Sequence, residues 1–351
     1  MKILFVDNDL NGHHEIYLRN LMMQEYKCIY VLPKYISGVD CKKQYIYEGD
    51  IHSLIGYIDW IIFISNVAKN EEVDIVHFLN ADVLIRYFGF LLNKLNRSKV
   101  IGTFHHFTYS YLRNISRKIV FSKVNEGIVH TDYLYDVARK SGIDNCIHVE
   151  YPVFERFDGI SNVEARRHFG IPIDNAKVIS AIGGTRETKG LDILLEALCD
   201  VNDNFYLLIA GKDEFFSRDF IEEKIQTYKE RTFLCLKYLS VEELKLALCA
   251  SDIIALPYRK CFDGASGTLA EGTVLGKCIV GPSHGSLGDI ITKNHIGLTF
   301  EAENVQSLTK SIVEAIESSF SYDEVALSYQ KKLDPKTFKE MYKRIYMESL
   351  R

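Results

Sequence analysis

Six prolines and one tryptophan in 351 residues are the chain's first scarcities. So few prolines leave little room for disordered linkers, and the ordinary shares of apolar (47%) and charged (25%) residues exclude a fibrous or low-complexity chain. Long apolar runs are missing too: LIGYIDWIIFISNVA is interrupted by Asp59 and falls short of the ~20 residues a spanning helix needs. The opening MKILFVDND offers too short an apolar run for a signal-peptide core, so a cytoplasmic location is expected. Neither charge sign dominates. A net charge of -5 excludes nucleic acid as a bulk electrostatic partner and means that any bound anion must be gripped locally. The eight cysteines show no CxxC pair and no ligand-like spacing, which predicts buried reduced thiols rather than disulfides or a zinc site. G-x-G-x-x-G is absent as well, so the chain has no dinucleotide fingerprint.

What is present is alternation. Short β-branched runs (KILFV, CIYVL, DIVHFL, KVIGTF, GIVHT, CIHVEY) are separated by helical patterns, including His52 to Ala68, VLIRYFGFLLNKL and YLYDVARKSG. The rhythm slackens after Tyr151-Pro152, then resumes with KVISAIGG, NFYLLIAG, FLCLKYL, IIALPY, KCIVG and IGLTF. Such alternation marks parallel sheets built from βαβ units, and the length exceeds what one core supports. The expectation is two doubly wound α/β domains, 1–155 and 156–333, facing each other across a cleft. A final helix over 334–351 begins near Asp334 and Pro335, with apolar positions at 338, 342, 345 and 346, and would pack back on the first domain. Open α/β sheets bind ligands outside the carboxyl ends of their strands, so functional residues should stand at strand-to-helix turns.

In the second half, IIALPY leads through RKCFDGA into a helix starting near Ser266. Gly264, Ala265, Ser266, Gly267 and Thr268 would present unpaired N–H groups at a helix amino terminus, a setting that suits a phosphate. Glu271 lies just over a turn inside that helix, and helical side chains lean back toward the amino terminus, so its carboxylate can reach a ribose beside the phosphate. Asp263 would stand in the loop on the ligand's other side. The alternative is a capped structural helix with Ser266 as N-cap and Glu271 solvated. AIGGTRETKGLDILLEAL adds a turn with Gly184, Arg186 and Lys189 between a strand and a helix, where two cations suit a diphosphate. LLIAGKDE brings Lys212 to a third strand end. Each of these cations, taken singly, is equally a solvated turn residue.

GGTRETKG and DGASGTLAEGTVLGKCIVG, in this order and separated by LLIAG and ALCASDIIALPY, resemble the second domain of GT-B glycosyltransferases, specifically the retaining family 4 (glycosyl transferases group 1) type. The likeness extends from roughly Lys177 to Phe300. It implies two Rossmann-like domains and a hexosyltransferase that uses a UDP- or GDP-sugar as co-substrate, with no cofactor and no metal. The acceptor would be a saccharide or a lipid-linked saccharide, in surface polysaccharide or glycoconjugate synthesis. By the same likeness Lys189 and Arg186 would hold the donor diphosphate, Glu271 the ribose, and Gly264 to Thr268 the sugar and phosphates. Asp263 stands where the family usually has glutamate, a shorter reach to the donor sugar, and the Arg-to-Lys spacing of three is shorter than the family's commonest.

The first half agrees more loosely. In the resembled family a glycine-containing loop after the first strand approaches donor and acceptor, and GHHEIY looks like a variant with Gly12 kept and Asn11 in place of a second glycine. His13 and His14 are candidate acceptor contacts or plain loop residues. His105, in Thr-x-His after KVIGTF, resembles the residue that lies near the reacting sugar, and His106, Asn80 and Asp82 are further acceptor-side candidates. VDND also mimics a metal-binding DxD, but only six residues precede Asp7, whereas that motif needs a nucleotide pocket upstream. Residues 109–124 carry Arg113, Arg117, Lys118 and Lys123 with no acid among aromatic and aliphatic residues. They form either an ordinary half-buried helix or a peripheral contact with an anionic inner membrane face. Two other functions remain open: a nucleotide-sugar epimerase of the same shape, and a non-catalytic nucleotide-sugar-binding subunit.

Overall fold

The computed structural model describes residues 1–10, 14–23, 25–107, 110–154, 157, 159–202, 204–262 and 266–351. Gly12, His13, Asp263, Gly264 and Ala265, together with the expected boundary at 155/156, lie outside the described residues. The chain divides into two compact units, Met1–Phe154 with Asp334–Arg351, and Glu155–Leu333.

The first unit is built on seven parallel strands, β1 (Lys2–Val6), β2 (Lys27–Leu32), β3 (Gln44–Ile46), β4 (Ile75–Phe78), β5 (Lys99–Phe104), β6 (Glu126–Val129) and β7 (Cys146–His148), in the order β3-β2-β1-β4-β5-β6-β7. Helices α1 (His14–Leu21), α2 (Leu54–Asn70), α3 (Asp82–Arg86), α4 (Tyr111–Phe121) and α5 (Asp132–Lys140) connect them. Both faces of the sheet are covered, which is why its strands are continuous apolar runs rather than alternating ones. Along β1, Leu4 and Val6 join a core with Tyr57, Trp60 and Ile64 of α2, while Ile3 and Phe5 join the opposite core with Leu18 of α1.

The second unit has six parallel strands, β8 (Lys177–Ile182), β9 (Phe205–Ala210), β10 (Thr232–Cys235), β11 (Ile253–Ala255), β12 (Cys278–Pro282) and β13 (Gly297–Phe300), in the order β10-β9-β8-β11-β12-β13. Its helices are α6 (Asn162–His168), α7 (Leu191–Cys199), α8 (Arg218–Lys224), α9 (Val241–Ala250), α10 (Gly267–Val274), α11 (Gly285–Lys293), α12 (Val305–Glu317) and α13 (Glu324–Lys332). Several start where the sequence supplies a cap; α9 opens on a complete capping box of Ser240 and Glu243.

The last helix, α14 (Pro335–Ser349), starts with Asp334 as N-cap and proline in its first turn. Phe338, Tyr342, Ile345 and Tyr346 form its buried stripe and belong to the α1-side core of the first unit. A chain of buried hydrogen bonds ties this stripe to the sheet. His130 Nδ1 lies 2.8 Å from the Val149 carbonyl, which can only accept, so Nε2 carries the lone pair and receives the Tyr17 hydroxyl at 2.9 Å. Tyr342 then donates to Tyr17, Thr103 to Tyr342 at 3.4 Å, His77 Nε2 to Thr103 at 2.9 Å, and Tyr346 to His77 Nδ1 at 2.8 Å. Burial pushes both imidazoles down to about 3, so each is neutral.

Three expectations need correction. VLIRYFGFLLNKL is not one helix: α3 stops at Arg86, and Phe88, Gly89 and Leu91 take left-handed φ values of 54°, 57° and 64° before a 3₁₀ turn at Leu92–Leu95. Tertiary hydrogen bonds override the periodicity there, because Tyr57 donates to the Phe90 carbonyl (3.0 Å) and Lys123 to those of Phe88 (3.1 Å) and Gly89 (3.0 Å). The cysteines are all free, but Cys41, Cys199 and Cys261 are exposed rather than buried. Strand β3 and helices α6 and α13 were not anticipated, β3 and α6 being short, α6 falling in the stretch between the two series of strands, and α13 only weakly patterned.

Candidate active site

Each sheet has one point where the strand order reverses, between β1 and β4 in the first unit and between β8 and β11 in the second. Loops leaving the two strands diverge there and open a crevice.

In the second unit the residues after β8 form a tight turn. Gly190 has φ 62°, and a Cβ on it would lie 2.1 Å from the Pro257 carbonyl, so glycine alone lets the turn close on the end of β11. At Gly183, φ 104°, a Cβ would meet the Lys189 ammonium at 2.4 Å. Lys189 Nζ thus lies over the strand end, 3.5 Å from the Ile182 carbonyl and 5.6 Å from the centre of the Tyr258 ring. Arg259 braces the two strand ends: its backbone N–H donates to Thr188 O (2.9 Å), and its guanidinium to Glu187 O (3.0 Å) and Asp192 (2.6 Å). Thr185 receives the Glu214 amide and donates to Phe216 O, both at 2.9 Å, and its own amide donates to Lys212 O at 2.9 Å. The structure therefore brings Gly184, Arg186, Lys189 and the exposed Lys212 to one edge. The Arg186 guanidinium has no hydrogen-bond partner among the described residues.

Helix α10 follows on the β11 side. Ser266 is its N-cap, accepting from the Leu269 amide at 3.3 Å, and the first-turn amides of Gly267 and Thr268 have no intrahelical acceptor. Glu271 is only 7% exposed, which excludes the solvated alternative. A residue without a signal in the sequence reading is His284, the N-cap position of α11 after β12. Both its ring nitrogens are buried with no hydrogen-bond partner among the described residues.

In the first unit β1, β4 and β5 are neighbours, and Asp7, Asn80 and His105 stand just beyond their carboxyl ends. Asp7, 2% exposed, accepts from the amides of Asn8 (2.8 Å) and Asp9 (3.2 Å) through Oδ1, while Oδ2 lies 3.1 Å from His14 Nδ1. The bond to Asp7 raises the His14 pKa against the opposing effect of burial, with smaller help from the charges of Asp7, Asp9 and Asp82. His105 Nε2 lies 2.9 Å from the Leu79 carbonyl, and burial holds the imidazole down at about 4, so it is neutral. Its ring centre is 6.0 Å from that of His14. Asp82 accepts from the His105 amide at 3.3 Å, and burial raises its pKa to about 6. Asn80 is half-buried beside this group and His106 is exposed. Asp7 is the member that the sequence reading missed, having been weighed only as a metal ligand. No group of three His, Cys, Asp or Glu among the described residues has metal-holding geometry.

On α4, Arg117 is 2% exposed, hydrogen-bonded to Asn114 and 4.4 Å from the Phe107 ring centre, so it does not join a basic surface. The exposed part of the helix carries Tyr111 (80%), Leu112 (66%) and Ile115 with Lys118, and α3 packs against it. Phe88 and Phe90 are exposed on the loop after α3. No described helix is long and apolar enough to cross a membrane.

Comparison with known proteins places this architecture. A glycosyltransferase of Rickettsia africae superposes with a TM-score of 0.78 at 17% identity, over 100% of this chain and 98% of that one. HepE of Anabaena in complex with UDP-glucose gives 0.72 at 15% identity, over 99% and 100%. An uncharacterized glycosyltransferase of Methanocaldococcus jannaschii is 23% identical over 262 residues, 72% of this chain and 68% of that protein. The fold is that of the GT-B glycosyltransferases. Residues 164–333, almost all of the second unit, match the family of glycosyl transferases group 1, and this unit carries that family's sequence pattern.

Proposed function

We propose that the chain transfers a hexosyl group from a UDP- or GDP-sugar to a hydroxyl of a saccharide or lipid-linked acceptor, with retention of anomeric configuration, in surface polysaccharide or glycoconjugate synthesis. The observation that carries this reading is the Gly183–Gly190 turn, which holds Lys189 over the end of β8 beside Arg186 and against the loop that leads to α10. In this reading Lys189 and Arg186, with Lys212 at the edge, bind the diphosphate, and the α10 terminus adds its amides. Glu271 takes the ribose hydroxyls. Asp263 takes those of the transferred sugar, and the loop from Gly264 to Thr268 lines the site with Gly184. These groups supply the positive field that the departing diphosphate needs, so no metal and no cofactor is required. Retention rests on kinship with the group 1 family, and a UDP-sugar donor is supported by the UDP-glucose bound to HepE.

The first unit is then the acceptor side, with Gly12, His13, His14, Asn80, Asp82, His105 and His106 around the incoming hydroxyl. The exposed Tyr111, Leu112 and Ile115 of α4 support a peripheral contact with the cytoplasmic membrane face.

A thermal-shift screen of UDP-, GDP- and ADP-sugars tests the donor. The right one at 100 times its Kd raises stability by about 2.7 kcal/mol. Lys189→Ala is expected to cut kcat by roughly 10²–10³, as loss of a charge-stabilising donor does. Full turnover in both Lys189→Ala and Glu271→Ala, or no stabilisation by any nucleotide sugar, overturns the assignment. Nucleotide release that requires no acceptor, with interconversion of the donor sugar, would instead identify an epimerase.

A further inference from the structure

We propose that Asp7, His14 and Asp82 build the subsite for the acceptor's hydroxyls: His14 and Asp82 take hydrogens from a neutral saccharide or polyol, and Asp7 is the positioning residue that sets the imidazole. The inference rests on the transferase reading and deepens it.

The chemistry of the cluster limits what it can hold. A carboxylate without a proton only accepts, so the 3.1 Å contact with Asp7 Oδ2 puts the His14 hydrogen on Nδ1. Nε2 is left with a lone pair and makes no hydrogen bond to a described residue, on a side chain 27% exposed. His105 spends its Nε2 hydrogen on the Leu79 carbonyl, so its Nδ1 also offers only a lone pair. Asp82 Oδ1 is buried without a hydrogen-bond partner among the described residues, while Oδ2 receives the His105 amide. On Asp7, His14, His105 and Asp82, every unspent side-chain polar atom is therefore an acceptor. A ligand that satisfies them must bring donors and no negative charge, which fits sugar hydroxyls and rejects phosphate or carboxylate. The two amides on Asp7 Oδ1 lock that carboxylate, so the ring it holds is fixed before the ligand arrives.

The charged groups facing His14 are Asp7 at the end of β1, Asp9 in the following loop, Asp82 of α3, and His105 and His106 after β5. The three carboxylates raise its pKa above the ordinary 6.5. A protonated imidazole has no lone pair at Nε2, so acceptor turnover is lost as pH falls through that raised value. Replacing Asp7 by asparagine removes the nearest negative charge and moves the loss to lower pH.

Histidine-selective nitrogen NMR on the full-length protein, with octyl hexosides as the probe, tests this directly. The expected spectrum shows His14 as the Nδ1–H tautomer, titrating above 6.5, with a signal that moves when an octyl hexoside is added. Asp7→Asn lowers the titration midpoint. In assays of nucleotide release from a nucleotide sugar with the same hexosides, Asp7→Asn moves the acid limb of kcat/KM to lower pH and leaves the KM for the donor unchanged. His14→Gln, whose side-chain amide can still donate to Asp7, lowers acceptor kcat/KM by roughly 10²-fold. An Nε2–H tautomer, or a His14 titration midpoint that Asp7→Asn leaves unmoved, overturns the subsite. Absence of any wild-type turnover with a correctly titrating, hexoside-sensitive His14 counts against the transferase reading alone.

Discussion

Gly190 does for the second unit what a side chain could not. Its left-handed backbone and the 2.1 Å that would separate a Cβ from the Pro257 carbonyl make Gly190→Ala a test of whether the turn positions Lys189. Strain of this kind costs about 1–3 kcal/mol, so the variant should unfold at lower denaturant and bind nucleotide sugar more weakly. Unchanged stability and affinity would show that the turn tolerates a shift and that Lys189 is placed by other contacts. Arg186, Lys189, Ser266 and Glu271 were legible in the sequence because each is a polar residue at a strand end or helix start, where local spacing already specifies its setting. Arg259 was not, since its partner Asp192 is 67 positions away. Asp7 was weighed only as a metal ligand: its partner His14 approaches only once β1 and α1 have packed, and nothing in VDND announces an imidazole.

Among the elements, α14 was the easiest to read and the hardest to interpret. Its stripe of Phe338, Tyr342, Ile345 and Tyr346 follows helical periodicity, but the hydrogen bonds that hold it come from α1, β4, β5 and the segment after β6. Those partners leave no mark on the helix's own sequence. They do set a pH dependence. His77 and His130 stay neutral in the fold down to about 3, whereas in the unfolded chain they take up protons near the ordinary 6.5. The unfolded state thus binds more protons below 6.5, and stability falls as pH falls from there toward 3. Between pH 7 and pH 5 each histidine should cost roughly 2 kcal/mol. Denaturant titrations at the two pH values check this, and His77→Gln with His130→Gln should flatten the dependence even if both lower stability. Helix α4 makes a separate prediction. With Arg117 buried, the surface left is Tyr111, Leu112 and Ile115 beside Lys118 and the two exposed phenylalanines of the Phe88–Leu91 loop. Vesicles of phosphatidylglycerol should carry the protein in flotation, salt should weaken the association, and Leu112→Asp with Ile115→Asp should abolish it. Equal flotation with neutral and anionic vesicles would remove charge from the explanation.

At the level of the whole molecule, both series of strands were visible because a parallel strand covered on two faces must be a short apolar run, and each needs a helix-length return. Strand order was not visible: each crossover joins one edge of the growing sheet or the other through contacts far apart in sequence, so the reversal points at β1/β4 and β8/β11 appear only in the fold. The same non-local character makes the first unit depend on the chain's last residues. Ending the chain after Leu333 removes four side chains from the α1-side core, each worth ~1.5–3 kcal/mol when buried. It also strips partners from the buried Tyr17 hydroxyl and His77 Nδ1, at about 1–3 kcal/mol for each polar group left unsatisfied. That sum rivals the roughly 5–15 kcal/mol by which a whole domain is stable. The second unit contains none of these groups. The truncated protein should therefore lose protection of Met1–Phe154 in limited proteolysis while Glu155–Leu333 survives as a resistant, nucleotide-sugar-binding fragment. Equal resistance of both units after truncation would mean that the first sheet holds its α1-side core closed without α14.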